Sequence, residues 1–341
     1  MPKTKNLAEA GEIGILGAGA FGTALGSAFA RSGRKVTLWT RKKEQAEEIN
    51  ATHKNSKYFL SATLPPSLVA THDFENFCDT SSLFVYACPS HSLRSIFSQI
   101  FEFKKDLMFD LINTAKGIDT EQLKTYDQVA AEIFGQDFVR NHFFCLSGPS
   151  FASEIVADIP TCVNLAGPSL EAAIRVRDQL GSPRFRPFAS DDLIGCQVGG
   201  AVKNVIAIAV GMLEGMGLGL NTQAALINLG MFEIVQLGSA MGAKTQTLYG
   251  LAGLGDLILT CTGKLSRNRS FGILIGEGLS CAQASEKLGT TLEGVYAAKA
   301  VHRLATAKQL ELPICTQIYQ ILHEGRNPKD ALEILLSRPF R

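Results

Sequence analysis

A glycine-rich turn near the start of the chain joins a short β-branched run to an alanine-rich segment. Gly17, Gly19 and Gly22 follow the run EIGIL with the spacing G-x-G-x-x-G. Glycines at this spacing allow a tight turn and let the backbone approach a pyrophosphate, while the next helix presents N–H groups to the phosphates. The strand before the turn and the helix after it supply the context that a lone motif lacks. The stretch therefore predicts a dinucleotide-binding unit rather than a plain glycine-rich turn.

Short β-branched runs alternate with helical patterns from residue 12 to about residue 188. The clearest runs are EIGIL, KVTLW, SLFVYA, LMFDLINTA, HFFCLS and TCVNLA. Such alternation predicts an α/β fold, a Rossmann-type parallel sheet with crossover helices. After FRPFASDD the strand signals stop and only helical patterns follow. We therefore predict a Rossmann-like dinucleotide-binding domain at residues 1–190 and an all-α, substrate-binding and catalytic domain at residues 191–341.

Helix signals mark the second half of the chain. Ser190 or Asp191 is a suitable cap for a long helix, SCAQ at residues 280–283 has the form of a capping box, and Asn327 before Pro328 suits a cap and first helical position. A glycine-rich stretch at 250–272 is much longer than a tight helix connection. Further helices are predicted near residues 221–243, 266–277, 280–288, 293–309, 314–322 and 328–337.

The overall composition favours a reduced compartment and gives no general attraction for polyanions. The formal net charge is +1, so neither nucleic acid nor an anionic membrane is an expected partner. Eight scattered cysteines form no C-x-x-C pair and no Cys/His cluster at zinc spacing, so no metal site is predicted. The N-terminus lacks a signal-peptide core, and polar residues interrupt the longest apolar run, residues 193–212. We expect a cytoplasmic enzyme or binding protein without membrane insertion.

Basic residues stand where the second strand of the dinucleotide-binding unit ends. NAD-preferring sites usually carry an acid roughly 20 residues after the glycines, where it holds the ribose 2′-hydroxyl. Here the strand runs into Arg41, Lys42 and Lys43. An arginine can pair with a 2′-phosphate, so NADP(H) should be accepted beside NAD(H). For Lys42 and Lys43, a solvated helix start is an equally good interpretation.

Lys203 interrupts the apolar stretch GGAVKNVIAIAVGM, together with Asn204. Its helical neighbours include Gly199 and Gly200, so the surroundings of the ammonium are nearly bare and leave room for a ligand. Burial lowers the pKa of a lysine, which suits it to proton transfer near neutral pH. Asn204 either orients the lysine or satisfies a neighbouring backbone group.

Polar residues also follow several of the predicted strands, at the edge where parallel strands form a ligand crevice. Lys116 follows LMFDLINTA, and Gly148 and Ser150 follow HFFCLS. His91 follows the SLFVYA strand. It is a weaker candidate for a catalytic residue, because a histidine at a helix start is more often structural. Each of these positions by itself also fits an ordinary turn.

A possible phosphate-binding sequence lies later in the chain. Asp256 lies in GDLILTC, and Ser266, Arg267 and Asn268 begin the next helical pattern. Arginine, amide, hydroxyl and free helix N–H groups together suit a phosphate. A capped surface helix is the alternative for the S-R-N triplet alone.

In combination these residues resemble the soluble, bacterial-type NAD(P)-dependent glycerol-3-phosphate dehydrogenases. The resemblance covers the chain after residue 11. The motifs that carry it occur in order: GAGAFGTALG, NTAKGI, SGPSFASE, GGAVKNVIAIA, GLGDLILTC, SRNRSFG and TLEGVYAAKAV.

The resemblance implies hydride transfer between NAD(P)H and dihydroxyacetone phosphate, which gives sn-glycerol 3-phosphate for phospholipid synthesis. It also implies that the enzyme is a homodimer. It implies that Lys203 is the catalytic proton donor and acceptor, with Lys116 and Asp256 beside it. The implied substrate contacts are Lys116, Gly148, Ser150, Lys203, Asp256, Ser266, Arg267 and Asn268. The implied cofactor contacts beyond the three glycines are Ala20, Phe21, Arg41, Lys116, Ala152, Arg267, Thr291 and Glu293.

Two positions depart from the pattern of the family. Ala20-Phe21 stand where Ser-Trp is common, which leaves backbone amides to reach the pyrophosphate, and Thr291 stands where valine is usual.

Two other functions are alternatives to glycerol-3-phosphate dehydrogenase. One is a dehydrogenase of 3-hydroxy acids or sugar acids with a helical second domain, which a substrate panel would distinguish. The other is a dinucleotide-binding redox sensor without turnover, which leaves Lys203 unexplained. Asp256 either orients Lys203 or binds the substrate hydroxyl.

Overall fold

The computed structural model describes residues 11–119, 121–289 and 292–338. The described chain forms two compact units. The first comprises the described residues up to Ala115 together with Asp127–Leu146 and Ser150–Leu193. The second comprises Lys116–Tyr126, Ser147–Pro149 and the described residues from Ile194 on. Two short segments inside the sheet-forming half of the sequence therefore belong to the second unit.

The first unit is built on one eight-stranded sheet in the order β3-β2-β1-β4-β5-β6-β7-β8. The strands are β1 (Glu12–Leu16), β2 (Val36–Trp39), β3 (Leu68–Thr71), β4 (Ser81–Tyr86), β5 (Asp110–Asn113), β6 (Phe143–Ser147), β7 (Thr161–Ala166) and β8 (Phe185–Ser190). The pairs from β3 through β6 are parallel, as is the pair of β7 and β8. The predicted Rossmann-type fold is confirmed. The edge strands β3 and β8 were not among the clearest runs, because one is very short and the other contains Pro187.

Helices connect these strands. They are α1 (Ala20–Arg31), α2 (Lys43–Thr52), α3 (Phe74–Thr80), α4 (Leu93–Phe103), α5 (Tyr126–Phe134), α6 (Gln136–His142), α7 (Ala152–Val156) and α8 (Leu170–Leu180), with a 3-10 turn at Ser90–Ser92. The chain order reverses at β1, which lies between β2 and β4. Ala87, directly after β4, donates its N–H to the Leu16 carbonyl at 2.9 Å. The glycine turn that follows β1 therefore lies at the switch point where doubly wound sheets bind ligands.

The second unit is helical. Its helices are α9 (Leu193–Gly215), α10 (Leu220–Met241), α11 (Thr245–Leu248), α12 (Asp256–Thr262), α13 (Arg267–Gly276), α14 (Cys281–Leu288), α15 (Glu293–Ala307), α16 (Pro313–Glu324) and α17 (Pro328–Leu336). The capping box at Ser280 and the Asn327 cap before Pro328 are confirmed. Helix α9 begins at Leu193, so the residue directly before it is Asp192 rather than Ser190 or Asp191, the two predicted caps.

The stretch at 250–272 is not the long connection that its glycines suggested. Leu251–Gly255 forms a π-helical turn that leads straight into α12. A side chain at Gly253 would lie 1.8 Å from the Leu248 carbonyl oxygen, so the turn closes tightly only without one. Leu257 and Cys261 are buried and form the inner face of α12. This buried apolar face stabilises the short amphipathic helix.

Helix α9 is the centre of the helical unit and packs directly against α13. A Cβ at Gly211 would lie 2.1 Å from the Arg269 carbonyl oxygen, and one at Gly272 would lie 2.1 Å from that of Ile208. The two backbones therefore touch, because neither position carries a side chain. By length and hydropathy α9 and α10 could each cross a membrane, but 89% of the α9 window is buried inside the protein. This burial fits the core helix that the sequence predicted.

Candidate active site

The glycine turn of the first unit has the shape that a pyrophosphate needs. Gly17 has φ of +108°, a conformation that favours glycine. A Cβ at Gly22 would lie 2.0 Å from the Gly17 carbonyl oxygen, so the start of α1 can pack on the turn only as glycine. A Cβ at Gly19, in contrast, would meet nothing within 4 Å. The backbone is thus closely packed on the protein side and open at Gly19, which fits a dinucleotide phosphate.

The other predicted cofactor residues of this unit lie at the starts of helices or after strands. Ala20 and Phe21 open α1, and Ala152 opens α7. Arg41 is exposed and follows β2 by two residues. The guanidinium of Arg41 therefore stands free of the core at the position where the sequence predicted contact with the ribose.

Lys203 lies in the middle of α9 and is 4% exposed. Its Nζ lies 2.5 Å from Oδ1 of Asp256, the first residue of α12. It also donates to Oγ1 of Thr260 at 3.0 Å. The ammonium that looked misplaced in an apolar helix is thus held between a carboxylate and a hydroxyl.

Lys116 binds the other oxygen of the same carboxylate. Its Nζ lies 2.8 Å from Oδ2 of Asp256. Asp256 is 1% exposed and therefore bridges two ammonium groups away from bulk water. One negative charge faces two positive charges, and this excess of positive charge suits a site that binds an anion or a developing alkoxide.

Burial and charge move the three pKa values apart. Burial, helped by the charge of Lys116, outweighs the attraction of Asp256 and lowers the pKa of Lys203 to about 7. Burial also acts to lower the pKa of Lys116, but the attraction and hydrogen bond of Asp256 outweigh it, so that pKa is raised. Burial acts to raise the pKa of Asp256, but the two lysines outweigh it and hold that pKa below its usual range. Of the three groups, Lys203 is therefore the one whose pKa suits proton exchange near neutral pH.

The segment that carries Lys116 is fixed to α9. Gln197, one turn and a half before Lys203, accepts the Tyr126 N–H at 2.8 Å through Oε1. Ile118 is buried in the core of the helical unit. Glu293, the first residue of α15, adds attraction that raises the pKa of Lys116. These contacts explain how a residue that follows a strand of the sheet joins the Lys203 cluster.

The glycines beside Lys203 serve a purpose different from the one predicted. A Cβ at Gly199 would lie 2.6 Å from the Ala252 carbonyl oxygen, and one at Gly200 would lie 3.3 Å from Cγ of Lys116. The chain itself, rather than a ligand, fills the space beside these two glycines. The expectation of an empty space there was wrong, because the helical neighbourhood alone does not show what packs on it.

The predicted phosphate-binding residues form the start of α13. Ser266 is its N-cap, and its Oγ accepts the Arg269 N–H at 3.3 Å. Oδ1 of Asn268 accepts the Gly294 N–H at 3.2 Å, so its amide hydrogens point elsewhere. A Cβ at Gly294 would also lie 3.1 Å from the Asn204 carbonyl oxygen, which places the start of α13 beside α9 next to Lys203. Arg267 is exposed. The triplet thus begins a capped helix, as one of the two interpretations predicted, and its binding of a phosphate stays a prediction.

Thr260 is a member of the cluster that the sequence reasoning missed. Besides accepting from Lys203, its hydroxyl donates to the Asp256 carbonyl oxygen at 2.6 Å. It follows Asp256 by four residues on α12, so the two side chains share one helix face. That spacing was the available signal.

The other predicted site residues lie in both units. Gly148 belongs to the helical unit and Ser150 to the sheet unit. His91 is exposed in the 3-10 turn after β4. Asn204 is buried beside Lys203. Thr291 lies outside the described residues. Within the described residues no group of three or more His, Cys, Asp or Glu side chains could hold a metal ion.

Comparison with known proteins gives consistent matches along the chain. Residues 12–173 match the NAD-dependent glycerol-3-phosphate dehydrogenase N-terminus, and residues 192–333 match the C-terminus of the same family. The glycerol-3-phosphate dehydrogenase (NAD(P)+) of Thermoanaerobacter sp. (strain X514) is 42% identical over 327 residues, which cover 96% of this chain and 97% of the relative. That of Zymomonas mobilis is 42% identical over 329 residues, covering 96% and 94%.

The fold matches a solved structure as well. A crystal structure of glycerol-3-phosphate dehydrogenase from Coxiella burnetii superimposes with a TM-score of 0.90 and 36% identity, covering 96% of this chain and 99% of that chain. D-mandelate dehydrogenase shares the fold alone, with a TM-score of 0.62 at 15% identity.

Proposed function

We infer that this chain, which belongs to the NAD-dependent glycerol-3-phosphate dehydrogenase family, reduces dihydroxyacetone phosphate to sn-glycerol 3-phosphate with NAD(P)H. The reaction is reversible and supplies glycerophospholipid biosynthesis. The observation that carries the mechanism is the buried cluster in which Asp256 bridges Lys203 and Lys116. When bound, the nicotinamide cofactor supplies or accepts the hydride. The chain's own residues bind the two ligands and move the proton.

Lys203 supplies the proton to the forming alkoxide at C2 of the substrate. Its pKa near 7 means that the ammonium and the amine are both populated at neutral pH, as reversible proton transfer requires. Asp256 fixes the lysine through Oδ1, and Thr260 fixes it through Oγ1. Lys116, whose raised pKa keeps it charged, adds positive potential where negative charge develops in the transition state.

The phosphate of the substrate binds at the start of α13. Arg267 is exposed there, and the Ser266 hydroxyl and the Asn268 amide are available as donors. Arginine and helix N–H groups are well matched to a phosphate. Binding the remote phosphate holds the carbonyl in place, which lowers the entropy lost on reaching the transition state. Gly148 and Ser150 complete the proposed set of substrate contacts.

The cofactor binds along the switch point of the sheet unit. Gly17, Gly19 and Gly22 accommodate the pyrophosphate, with Ala20 and Phe21 at the start of α1. Arg41 is proposed to donate hydrogen bonds either to a ribose hydroxyl or to a 2′-phosphate, so both NADH and NADPH are used. The other proposed cofactor contacts are Lys116, Ala152, Arg267, Thr291 and Glu293. Arg41→Ala should raise KM for NADPH more than KM for NADH; equal effects on both would contradict this role.

The decisive experiment replaces the proton donor. We expect Lys203→Met to reduce kcat by roughly a thousandfold or more, because general acid catalysis contributes about 10²–10⁴-fold. Lys299→Met is a suitable control, because this lysine lies on the exposed side of α15. Initial rates of NADH and NADPH oxidation with dihydroxyacetone phosphate are measured for the wild type and both variants. Near wild-type kcat in Lys203→Met would eliminate the assignment, and preference of the wild type for a 3-hydroxy acid would eliminate the substrate.

We further propose that the protein is a homodimer joined through α10. Glu233 is the only charged residue in the sequence of this helix, and it is buried, where it accepts the Cys315 N–H at 3.0 Å. The outer face exposes Leu229 and Phe232 beside the uncharged polar residues Asn228 and Gln236. Because this face carries no charge and exposes two large apolar side chains, a second copy can pack on it without like-charge repulsion. Phe232→Glu should convert a dimer to a monomer in light scattering; a monomeric wild type would refute the proposal.

Two broader assignments complete the proposal. Residues 1–190 bind the dinucleotide and residues 191–341 bind the substrate and carry the proton donor, with Lys116 contributed from the first part of the sequence. The enzyme works in the cytoplasm, a compartment that keeps cysteines such as its eight in the reduced form. Fractionation followed by an activity assay tests the location.

A further inference from the structure

The carbonyl of Ala18, in the middle of the glycine turn, accepts two hydrogen bonds from side-chain amides. Nδ2 of Asn55 donates to it at 3.0 Å, and Nε2 of Gln45 donates to it at 2.8 Å. Neither residue belongs to the glycine motif. Asn55 follows α2 and is 0% exposed, while Gln45 lies in the first turn of α2.

These two amides form a closed polar network. Nε2 of Gln45 also donates to Oδ1 of Asn55 at 3.1 Å, and Nδ2 of Asn55 also donates to Oγ1 of Thr23 at 2.9 Å. Thr40, the residue after β2, donates its hydroxyl to Oε1 of Gln45 at 2.8 Å. Because both donors and the acceptor of each amide are engaged, each side chain has one defined orientation.

The network fixes the direction of the Ala18–Gly19 peptide. In a trans peptide the carbonyl and the following N–H point to opposite sides of the chain. The Ala18 carbonyl points toward Asn55 and Gln45, so the Gly19 N–H points away from them. The turn also borders open space at this residue, since a Cβ at Gly19 would meet nothing within 4 Å. Gly19 is also the N-cap of α1, where N–H groups have no partner within the helix.

We propose that Gln45 and Asn55 are positioning residues for the cofactor, which hold the Gly19 N–H toward the dinucleotide pyrophosphate. The network aligns this donor before the cofactor arrives, so binding does not have to order the turn. Through Thr40 the same network also fixes the chain next to Arg41. The inference rests on the proposed function only in that the ligand is a dinucleotide.

The test compares Gln45→Met, Asn55→Asp and the control Glu47→Met. Gln45→Met keeps the side-chain length but removes a donor to Ala18, while Asn55→Asp keeps the acceptor for Gln45 and removes both donors of Asn55. Glu47 lies on the same helix with a side chain that is 65% exposed. The Kd for NADH is measured by fluorescence without substrate, together with competition by ADP-ribose and by adenosine.

We expect the Kd for NADH and ADP-ribose to rise roughly tenfold in Gln45→Met and further in Asn55→Asp, because a donor to a charged group is misaligned. Adenosine, which lacks the pyrophosphate, should bind as in the wild type, and kcat at saturating NADH and KM for dihydroxyacetone phosphate should change less than about twofold. Should Asn55→Asp fail to fold, Gln45→Met decides. An unchanged NADH Kd in Gln45→Met, or equal losses for adenosine and ADP-ribose, would overturn the inference. A wild type that binds NADH without reducing dihydroxyacetone phosphate would defeat the proposed function and leave this inference intact.

Discussion

Lys203 and Asp256 form a buried ion pair in which Nζ and Oδ1 lie 2.5 Å apart, while Lys116 binds the second oxygen of the same carboxylate. A single carboxylate neutralises only one of two ammonium groups, so one lysine loses its proton more easily. The side chain of Lys203 is 5% exposed and that of Lys116 is 18% exposed. The more deeply buried ammonium loses more hydration, and this difference selects Lys203 as the group with the lowered pKa.

The first prediction concerns the pH dependence of the two directions. Reduction needs the charged form of Lys203, which predominates below its pKa of about 7, so kcat/KM for reduction should fall as pH rises through that value. Oxidation of glycerol 3-phosphate needs the neutral amine and should rise over the same interval. Steady-state rates in both directions, from mildly acidic to alkaline pH, check the prediction. Parallel profiles for the two directions would contradict it.

The second prediction separates the charge of Lys116 from its other contacts. Because Lys116 lowers the pKa of Lys203, Lys116→Met should raise that pKa and move the alkaline limb of the reduction profile to higher pH. The kcat should also fall by about 10²-fold, as on removal of one group that stabilises an oxyanion. Lys124→Met, on the same segment, is the matched control, because its Nζ donates to the nearby Gln122 at 3.0 Å. A fall in kcat without a shift of the pH profile would show that the two lysines do not interact.

The third prediction contrasts two glycines of one turn. Gly22→Ala forces a Cβ to within 2.0 Å of a backbone oxygen and should lower the free energy of unfolding by roughly 2 kcal/mol. Gly19→Ala has no internal clash, so stability should change by less than about 1 kcal/mol. Its Cβ projects into the open space beside the turn, so NADH binding should weaken roughly tenfold or more. Denaturant titration and NADH titration of both variants distinguish the two effects. Strong NADH binding by Gly19→Ala would contradict the proposed pyrophosphate position.

The fourth prediction tests the phosphate site. Arg267→Met should raise KM for dihydroxyacetone phosphate by roughly 10–100-fold, because a hydrogen bond to a charged group contributes about 1.5–3 kcal/mol. At saturating NADH, dihydroxyacetone, which has no phosphate, should be reduced equally poorly by the variant and the wild type. Lys264→Met is the control, since Lys264 is an exposed cation just before α13. If the control shows the same increase in KM, a general surface charge rather than Arg267 binds the phosphate.

Local patterns predicted much of the fold. Six of the eight strands of the sheet follow from local patterns, as do α9, α10 and the helices from α13 to α17, because periodicity, glycines and caps depend on residues near in sequence. The short helices α11 and α12 were not predicted. The stretch at 250–272 was misjudged, since its glycines indicated a loop. They instead allow a π-helical turn whose backbone packs at Gly199 on α9. A glycine chosen for close packing and one chosen for a turn look the same in the sequence.

The sequence by itself determined the strand, turn and helix around Gly17 and the presence of an ammonium group in an apolar helix at Lys203. Tertiary structure alone decided that Asp256 joins Lys203 to Lys116, that Thr260 completes the cluster, and that Gln197 holds the segment bearing Lys116. The reason is physical. Hydrogen bonding and hydrophobic periodicity act over a few neighbouring residues, whereas the pKa of a buried amine depends on which distant charges the packing of helices brings within hydrogen-bond distance.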